Sequence, residues 1–145
     1  DGGGRRICVV ASRFNRLVTE RLLEGALATL REAGVDEEDV DLVRVPGAWE
    51  LPWAARRASR GGYDALVALG CVVRGETDHF DYICEAATGG LAAVAGEGEV
   101  PVGLGVLTCD TMEQAVARAG GEHGNKGADA AEAALEMADL ADRLP

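Results

Sequence analysis

The chain has 145 residues, of which 48% are apolar and 27% charged, a composition typical of one globular domain over residues 1–145. A formal charge of −11 argues against a protein that binds a nucleic-acid backbone or an anionic membrane surface, because both partners require a basic face. No segment has the length of a membrane span or a signal peptide, and the four cysteines form no C-x-x-C pair, so we expect reduced thiols in the cytoplasm.

The first part of the chain alternates short apolar runs with amphipathic segments. Residues 6–12 predict a buried strand, and apolar residues at helical spacing predict a helix over 17–34 that ends at a glycine. A second strand is predicted at 40–45. Pro52 then suits the first turn of a helix that runs to about Arg60.

The rest of the chain continues this alternation. In chain order we predict a strand at 64–70, a helix at 79–95, a strand at 100–108, a short helix to about residue 119 behind a capping box of Asp110 and Glu113, and a helix at 128–144. Alternating strands and helices are typical of a parallel sheet. The predicted fold class is therefore α/β: a three-layer sandwich with a four-stranded parallel sheet flanked by helices on both faces.

Ligands of open α/β sheets bind beyond the carboxyl ends of the strands. Four segments of this chain follow the predicted strands: SRFN (12–15), PGAWE (46–50), GCVVRGETDH (70–79) and TCDT (108–111). We therefore look for functional residues in these four loops.

The loop at 70–79 ends a strand and begins a helix. Gly75 allows a tight turn, and the free N–H groups of the first helical turn, with the Thr77 hydroxyl, favour a phosphate or carboxylate site. The alternative is that Thr77 or Asp78 serves only as an N-cap. The carboxylate of Glu76 supports that alternative because it would repel an anion.

Three further residues have two interpretations each. His79 is suited to proton transfer near neutral pH, but it could also be an exposed side chain without a role. Phe14 could stack on a planar ring or pack against the following helix. Glu50 could accept hydrogen bonds from sugar-like hydroxyls or favour a helix N-terminus through the helix dipole.

The glycine-rich segment at 118–127 carries two cations in an otherwise acidic chain. Arg118 and Lys126 could bind an anion together, or the segment could be a solvated loop. Cys71, at a strand end, has apolar neighbours, which favours a buried thiol over a nucleophile. We find no spacing of histidines and carboxylates that predicts a metal site.

Taken together, five segments resemble the lumazine synthase family over nearly the whole chain, in the order and spacing of that family. They are SRFN, VPGAWELP (45–52), GCVVRGETDHFDYIC (70–84), VPVGLGVLT (100–108) with EQAVARAG (113–120), and HGNKG (123–127). The resemblance implies a flavodoxin-like topology. The segment SRFN itself argues against a doubly wound signalling domain, which would require an acidic cluster at the end of the first strand.

The resemblance implies a transferase of riboflavin biosynthesis. Members of the family condense 5-amino-6-(D-ribitylamino)uracil with 3,4-dihydroxy-2-butanone 4-phosphate to give 6,7-dimethyl-8-ribityllumazine, phosphate and water. The amine attacks the ketone to form an imine, phosphate leaves, and the ring closes. This chemistry implies no metal or redox cofactor, since the site mainly holds two reactants together and moves protons.

The resemblance also implies a role for each matching residue. His79 would be the proton donor, and Glu76, Thr77 and Arg118 would bind phosphate, with Arg118 reaching across a subunit boundary. The pyrimidine and the ribityl chain would be bound by Phe14, Ala48, Trp49, Glu50, Cys71, Val72, Val73, Leu104 and Lys126.

Assembly and partners are likewise implied by the resemblance. Members form homopentamers with sites at subunit boundaries, some build icosahedral capsids of 60 subunits, and riboflavin synthase is a possible partner. The compact segment GGEHGNKG is compatible with a capsid.

Two departures from the family pattern stand out. Leu104 occupies a position where the family often has a Phe, and only DGGG precedes Arg5 where the family usually has a segment that adds to a neighbour's sheet. The alternative function is therefore a catalytically poor shell-forming or flavin-binding protein on the same scaffold.

Overall fold

The computed structural model describes residues 1–145 and contains six strands and five α-helices. The strands are β1 (Ile7–Ser12), β2 (Val40–Val45), β3 (Ala65–Val73), β4 (Val102–Cys109), β5 (Ala119–Gly121) and β6 (Gly124–Asn125). The helices are α1 (Arg16–Glu32), α2 (Leu51–Ala58), α3 (His79–Gly96), α4 (Met112–Ala117) and α5 (Lys126–Arg143). No helix combines the length and the apolar character required to cross a membrane.

The first four strands form one parallel sheet in the order β2-β1-β3-β4. One of its two central strands, β1, is buried along its whole length, as expected when helices cover both faces of a parallel sheet. This arrangement confirms the predicted fold class, an α/β three-layer sandwich with a four-stranded parallel sheet.

Alternation along β1 divides the apolar residues between two cores. Ile7 and Val9 face the core beneath α1 and α5, whereas Cys8 and Val10 face the core beneath α2 and α3. Because successive side chains of a strand point to opposite faces, one short apolar run contributes to both layers. Each fully buried Val or Ile stabilises the fold by about 1.5–3 kcal/mol.

Small residues allow α5 to pack closely on the layer below it. A side chain at Gly127 would lie 2.0 Å from the Leu22 carbonyl oxygen, and one at Gly103 would lie 2.1 Å from the Ala130 carbonyl oxygen. No real Cβ contact is that short. The backbones of α1, β4 and α5 can therefore come this close only because glycine stands at these two positions.

The structure differs from three predicted details. Strand β3 continues to Val73 instead of ending at residue 70, because its last residues pair with Thr108 and Cys109 of β4. The cap of α4 is Thr111, whose hydroxyl accepts the N–H of Gln114, and not the predicted pair Asp110 and Glu113. The capping box thus lies one residue further along, with Gln114 at its third position.

The third difference lies in the glycine-rich segment at 118–127, for which no strand was predicted from the sequence. It forms a small antiparallel hairpin, β5–β6, in which Ala119 pairs with Asn125. Gly120 and Gly124 adopt positive φ angles of 94° and 78°, which favour glycine and permit the tight reversal. The Asn125 side chain then caps α5 by accepting the N–H of Ala128.

Candidate active site

A cavity of about 500 Å³ lies beyond the carboxyl ends of β1, β2 and β3, next to the first turn of α3. Three of the four predicted loops meet there. The cavity is lined by Phe14, Pro46, Gly47, Ala48, Trp49, Glu50, Val72, Val73, Gly75, Thr77, His79, Phe80 and Ile83. Its volume is that of a typical small-molecule site, and apolar walls with a few polar groups are the usual lining of such sites.

Phe14 forms one wall because its loop is held at both ends. Its backbone N–H donates to the Pro46 carbonyl at 3.0 Å, and the next residue, Asn15, donates from Nδ2 to the Cys71 carbonyl at 2.9 Å. Asn15 has a φ of 61°, a left-handed conformation that is uncommon for a residue with a side chain. The Phe14 ring is 70% exposed, so a planar face remains open to a ligand.

The segment after β2 contributes Ala48, Trp49 and Glu50, which form a short 3₁₀ turn before α2. Glu50 Oε1 accepts the N–H of Gly47 at 2.9 Å, which fixes the carboxylate at the cavity wall. Trp49 is 61% exposed and Ala48 is buried. The arrangement offers a carboxylate with remaining acceptor capacity next to an apolar surface.

The last residues of β3 form the floor. Val72 and Val73 are half-buried and line the cavity. Cys71 does not line it, because its side chain is 2% exposed and packs in the core beneath α1 and α5. Burial raises the pKa of the Cys71 thiol to about 12, so the thiol stays protonated and is unsuited to act as a nucleophile.

The turn between β3 and α3 supplies the polar end of the cavity. Gly75, Thr77 and His79 line it, and Thr77 Oγ1 accepts the N–H of His79 at 3.3 Å. Glu76 is exposed and does not line the cavity. His79 is the first residue of α3, so it stands next to free N–H groups and the positive end of the helix dipole.

The remaining predicted residues lie around a second cavity of about 580 Å³, beside β4. Leu104, Arg118 and Lys126 line it, together with His123 and Asp129. The β5–β6 hairpin brings the two cations together, since the Lys126 N–H donates to the Arg118 carbonyl at 2.8 Å. Within one chain the predicted residues therefore lie around two separate cavities, except for Cys71 and Glu76, which line neither.

Sequence reasoning did not single out two apolar residues of the first cavity. Ile83 lies four residues after His79 in α3, a spacing that places both side chains on one face of a helix. That spacing was a usable signal. Phe80 had no such signal, because it borders the cavity while being 9% exposed.

Comparisons with known proteins agree over nearly the whole chain. The sequence profile of the family described as 6,7-dimethyl-8-ribityllumazine synthase matches residues 4–142. A 6,7-dimethyl-8-ribityllumazine synthase of Gemmatimonas aurantiaca is 59% identical over 143 residues, which cover 98% of this chain and 87% of the relative.

Two further relatives carry the same name. The protein of Salinibacter ruber is 55% identical and the alignment covers 97% of this chain and 91% of the relative. The protein of Pediococcus pentosaceus is 49% identical, with 97% and 90% covered.

Proposed function

The chain belongs to the 6,7-dimethyl-8-ribityllumazine synthase family, and we propose that it performs that synthesis in a site shared between two copies of the chain. The substrates are 5-amino-6-(D-ribitylamino)uracil and 3,4-dihydroxy-2-butanone 4-phosphate, and the enzyme is a transferase of riboflavin biosynthesis. One observation carries the proposal: an aromatic face, a fixed carboxylate and a histidine at a helix N-terminus line the same cavity.

The apolar end of the cavity suits the uracil. The open face of Phe14 would stack on the pyrimidine, and Val72 and Val73 would bound its edge. The ribityl chain would extend past Ala48 and Trp49, where the Glu50 carboxylate would accept hydrogen bonds from its hydroxyl groups. Cys71 would contribute only backbone, because its side chain is buried in the core.

The polar end suits the phosphorylated ketone. Backbone N–H groups at Glu76 and Thr77, with the Thr77 hydroxyl, would donate to the phosphate at the start of α3. The Glu76 side chain is exposed to solvent and does not line the cavity, so its repulsion of the anion there would be weak. Phosphate leaves after the imine forms, and donors at this position stabilise the leaving anion.

His79 would move the protons of the condensation. It lines the cavity as the first residue of α3, where the two substrates would meet under this proposal. A neutral imidazole can accept a proton from the attacking amine and return it to a departing hydroxyl. Holding the two reactants side by side supplies the remaining acceleration.

The second cavity would complete the site of a neighbouring copy. Leu104 would cover the exposed side of the ligand ring, Arg118 would reach the phosphate, and Lys126 would support the pyrimidine end. This proposal accounts for the separation of these residues from Phe14 and His79 within one chain. It implies a closed ring of copies, which we propose to be the homopentamer of the family, with a 60-subunit capsid as the larger assembly.

The cellular setting is part of the same proposal. The four cysteines are free, and Cys8, Cys71 and Cys109 are buried, a state that a reducing cytoplasm would maintain. The product would pass to riboflavin synthase. The alternative function, a catalytically poor shell or flavin-binding protein, is not favoured, because the three relatives at 49% to 59% identity are all named as the synthase.

The test is formation of the fluorescent lumazine from the two substrates. We expect turnover by the wild-type chain and a decrease in kcat of about 10²–10⁴-fold in His79→Ala. Turnover by His79→Ala at the wild-type rate would remove His79 from proton transfer. No product from the wild-type chain would refute the proposed activity itself.

A further inference from the structure

Arg74 stands next to the polar end of the cavity without lining it. Apart from His79, it is the only basic residue in the segment 74–81, which carries three carboxylates, those of Glu76, Asp78 and Asp81. Its Nε donates to Asp110 Oδ1 at 2.8 Å, and its Nη2 lies 3.6 Å from Asp81 Oδ1. One guanidinium therefore offsets two carboxylates close to the place where phosphate would bind.

The same guanidinium contacts the start of α3. Its central carbon lies 4.3 Å from the centre of the Phe80 ring, and Phe80 directly follows His79. Stacking of a planar guanidinium on an aromatic face has a defined orientation, which the ammonium of a lysine does not reproduce. The Arg74 backbone is also fixed, since its N–H donates to the Cys109 carbonyl at 2.9 Å.

The first turn of α3 has little other support. Its N-cap residue, Asp78, makes no side-chain capping hydrogen bond, whereas the N-caps of α4 and α5, Thr111 and Asn125, both do. The His79 N–H donates to Thr77 Oγ1, whereas the N–H groups of Glu76, Thr77 and Phe80 are free to meet a ligand, so the turn is not fixed by the side chain of its N-cap residue. Arg74 connects it to the end of β4 and to Asp110 instead.

We propose that Arg74 is a positioning residue for the phosphorylated substrate. It holds the turn 75–79 so that its N–H groups and the His79 imidazole face the cavity, and it offsets the charge of Asp81 and Asp110. The inference rests on the proposed function, because it takes the phosphate to bind at Glu76 and Thr77. Arg74 itself would not touch the substrate.

The experiment compares the KM of each substrate in Arg74→Gln, Arg74→Lys and Arg56→Gln. Arg56 is the matched control, since it is a surface arginine that pairs with a carboxylate, Glu97, and does not line the cavity. We expect Arg74→Gln to raise the KM of the phosphorylated ketone by about 10- to 100-fold, the cost of a misplaced binding geometry. The KM of the uracil and the melting temperature should match those of Arg56→Gln.

Two further variants distinguish positioning of the turn by Arg74 from a simple effect of charge on phosphate binding. Arg74→Lys should recover only a small part of the loss, because a point charge lacks the planar fork. Asp110→Asn removes the negative charge beside Arg74 and also weakens the hydrogen bond that holds Arg74 Nε, because a neutral amide oxygen is a poorer acceptor than a carboxylate. If Asp110 only repelled the anion, this variant would lower the KM of the ketone, whereas positioning by Arg74 predicts that the KM rises.

The outcomes are distinct. Suppose that the wild-type chain turns over but Arg74→Gln changes both KM values equally, or changes neither. That result overturns the positioning role of Arg74 and leaves the proposed function intact. Full recovery by Arg74→Lys, or a lower KM in Asp110→Asn, does the same. Absence of wild-type turnover overturns the proposed function and, with it, this inference.

Discussion

Replacing Phe14 with alanine should weaken ligand binding while the protein stays folded. The side chain is 70% exposed, so about a third of it is buried by folding. Because an aromatic side chain buries about 150–250 Å² when covered, that third corresponds to about 50–80 Å² and to about 1–2 kcal/mol of the free energy of unfolding. Stacking of a ring on an aromatic side chain contributes about 1–3 kcal/mol to binding, or about 5- to 150-fold in Kd.

The assay is an equilibrium titration with the fluorescent product, 6,7-dimethyl-8-ribityllumazine. We expect Phe14→Ala to weaken binding within the range above while the fold persists. Phe14→Leu should recover little of the affinity, because it restores apolar contact without a flat face. Leu17→Ala is the control, since Leu17 is 62% exposed near Phe14 in α1 but does not line the cavity.

Two results would refute this reasoning. Wild-type affinity in Phe14→Ala would show that the ring does not cover the ligand. Equal affinity in Phe14→Leu and the wild-type chain would show that contact area, and not stacking, accounts for the contribution of Phe14.

Two other predictions concern Leu104 and Cys8. Leu104→Phe should lower the Kd of the product by about 2- to 12-fold, since an aromatic pair adds about 0.5–1.5 kcal/mol beyond area burial; unchanged or weaker binding in the same titration would contradict the placement of Leu104 over the ligand ring. Burial raises the pKa of the Cys8 thiol from 9.0 to about 11. Between these values the unfolded chain has lost a proton that the folded chain keeps, so stability falls as the pH rises, by up to about 1.4 kcal/mol per pH unit. In urea unfolding between pH 9 and 11, the free energy of unfolding of Cys8→Ala should therefore fall less steeply with pH than that of the wild-type chain. An equally steep fall would contradict burial as the cause of the raised Cys8 pKa.

The layered fold could be predicted from sequence because its signals are local. The apolar run at β1 and the helical spacing in α1 each follow from one short segment, and the four-stranded sheet follows from their alternation. The end of β3 could not be placed, because pairing with β4 extends it and that pairing joins distant parts of the chain. The β5–β6 hairpin was missed because its glycines resemble those of an irregular loop.

The candidate residues were predicted from the sequence, and the resemblance already implied that Arg118 acts across a subunit boundary; only the structure shows which residues of one chain lie around the same cavity. Phe14, Glu50 and His79 meet because the carboxyl ends of neighbouring parallel strands share one edge of the sheet. Arg74 was not singled out, because its proposed role depends on contacts with Phe80 and Asp110. Arg74 follows β3 and Asp110 follows β4, so their contact joins residues that are distant in the sequence. No spacing in the sequence indicates that a guanidinium stacks on a ring six residues later.

The central claim, a site shared by adjoining copies, is tested most directly by mixing two defective chains. His79→Ala and Arg118→Ala are assembled together in equal amounts and assayed at a concentration of the phosphorylated ketone far below its KM for Arg118→Ala. If His79 and Arg118 of one site come from different copies, about a quarter of the sites in the mixture contain both intact residues, and activity rises well above that of either variant alone. Activity no greater than the mean of the two variants would show that each chain supplies its own site.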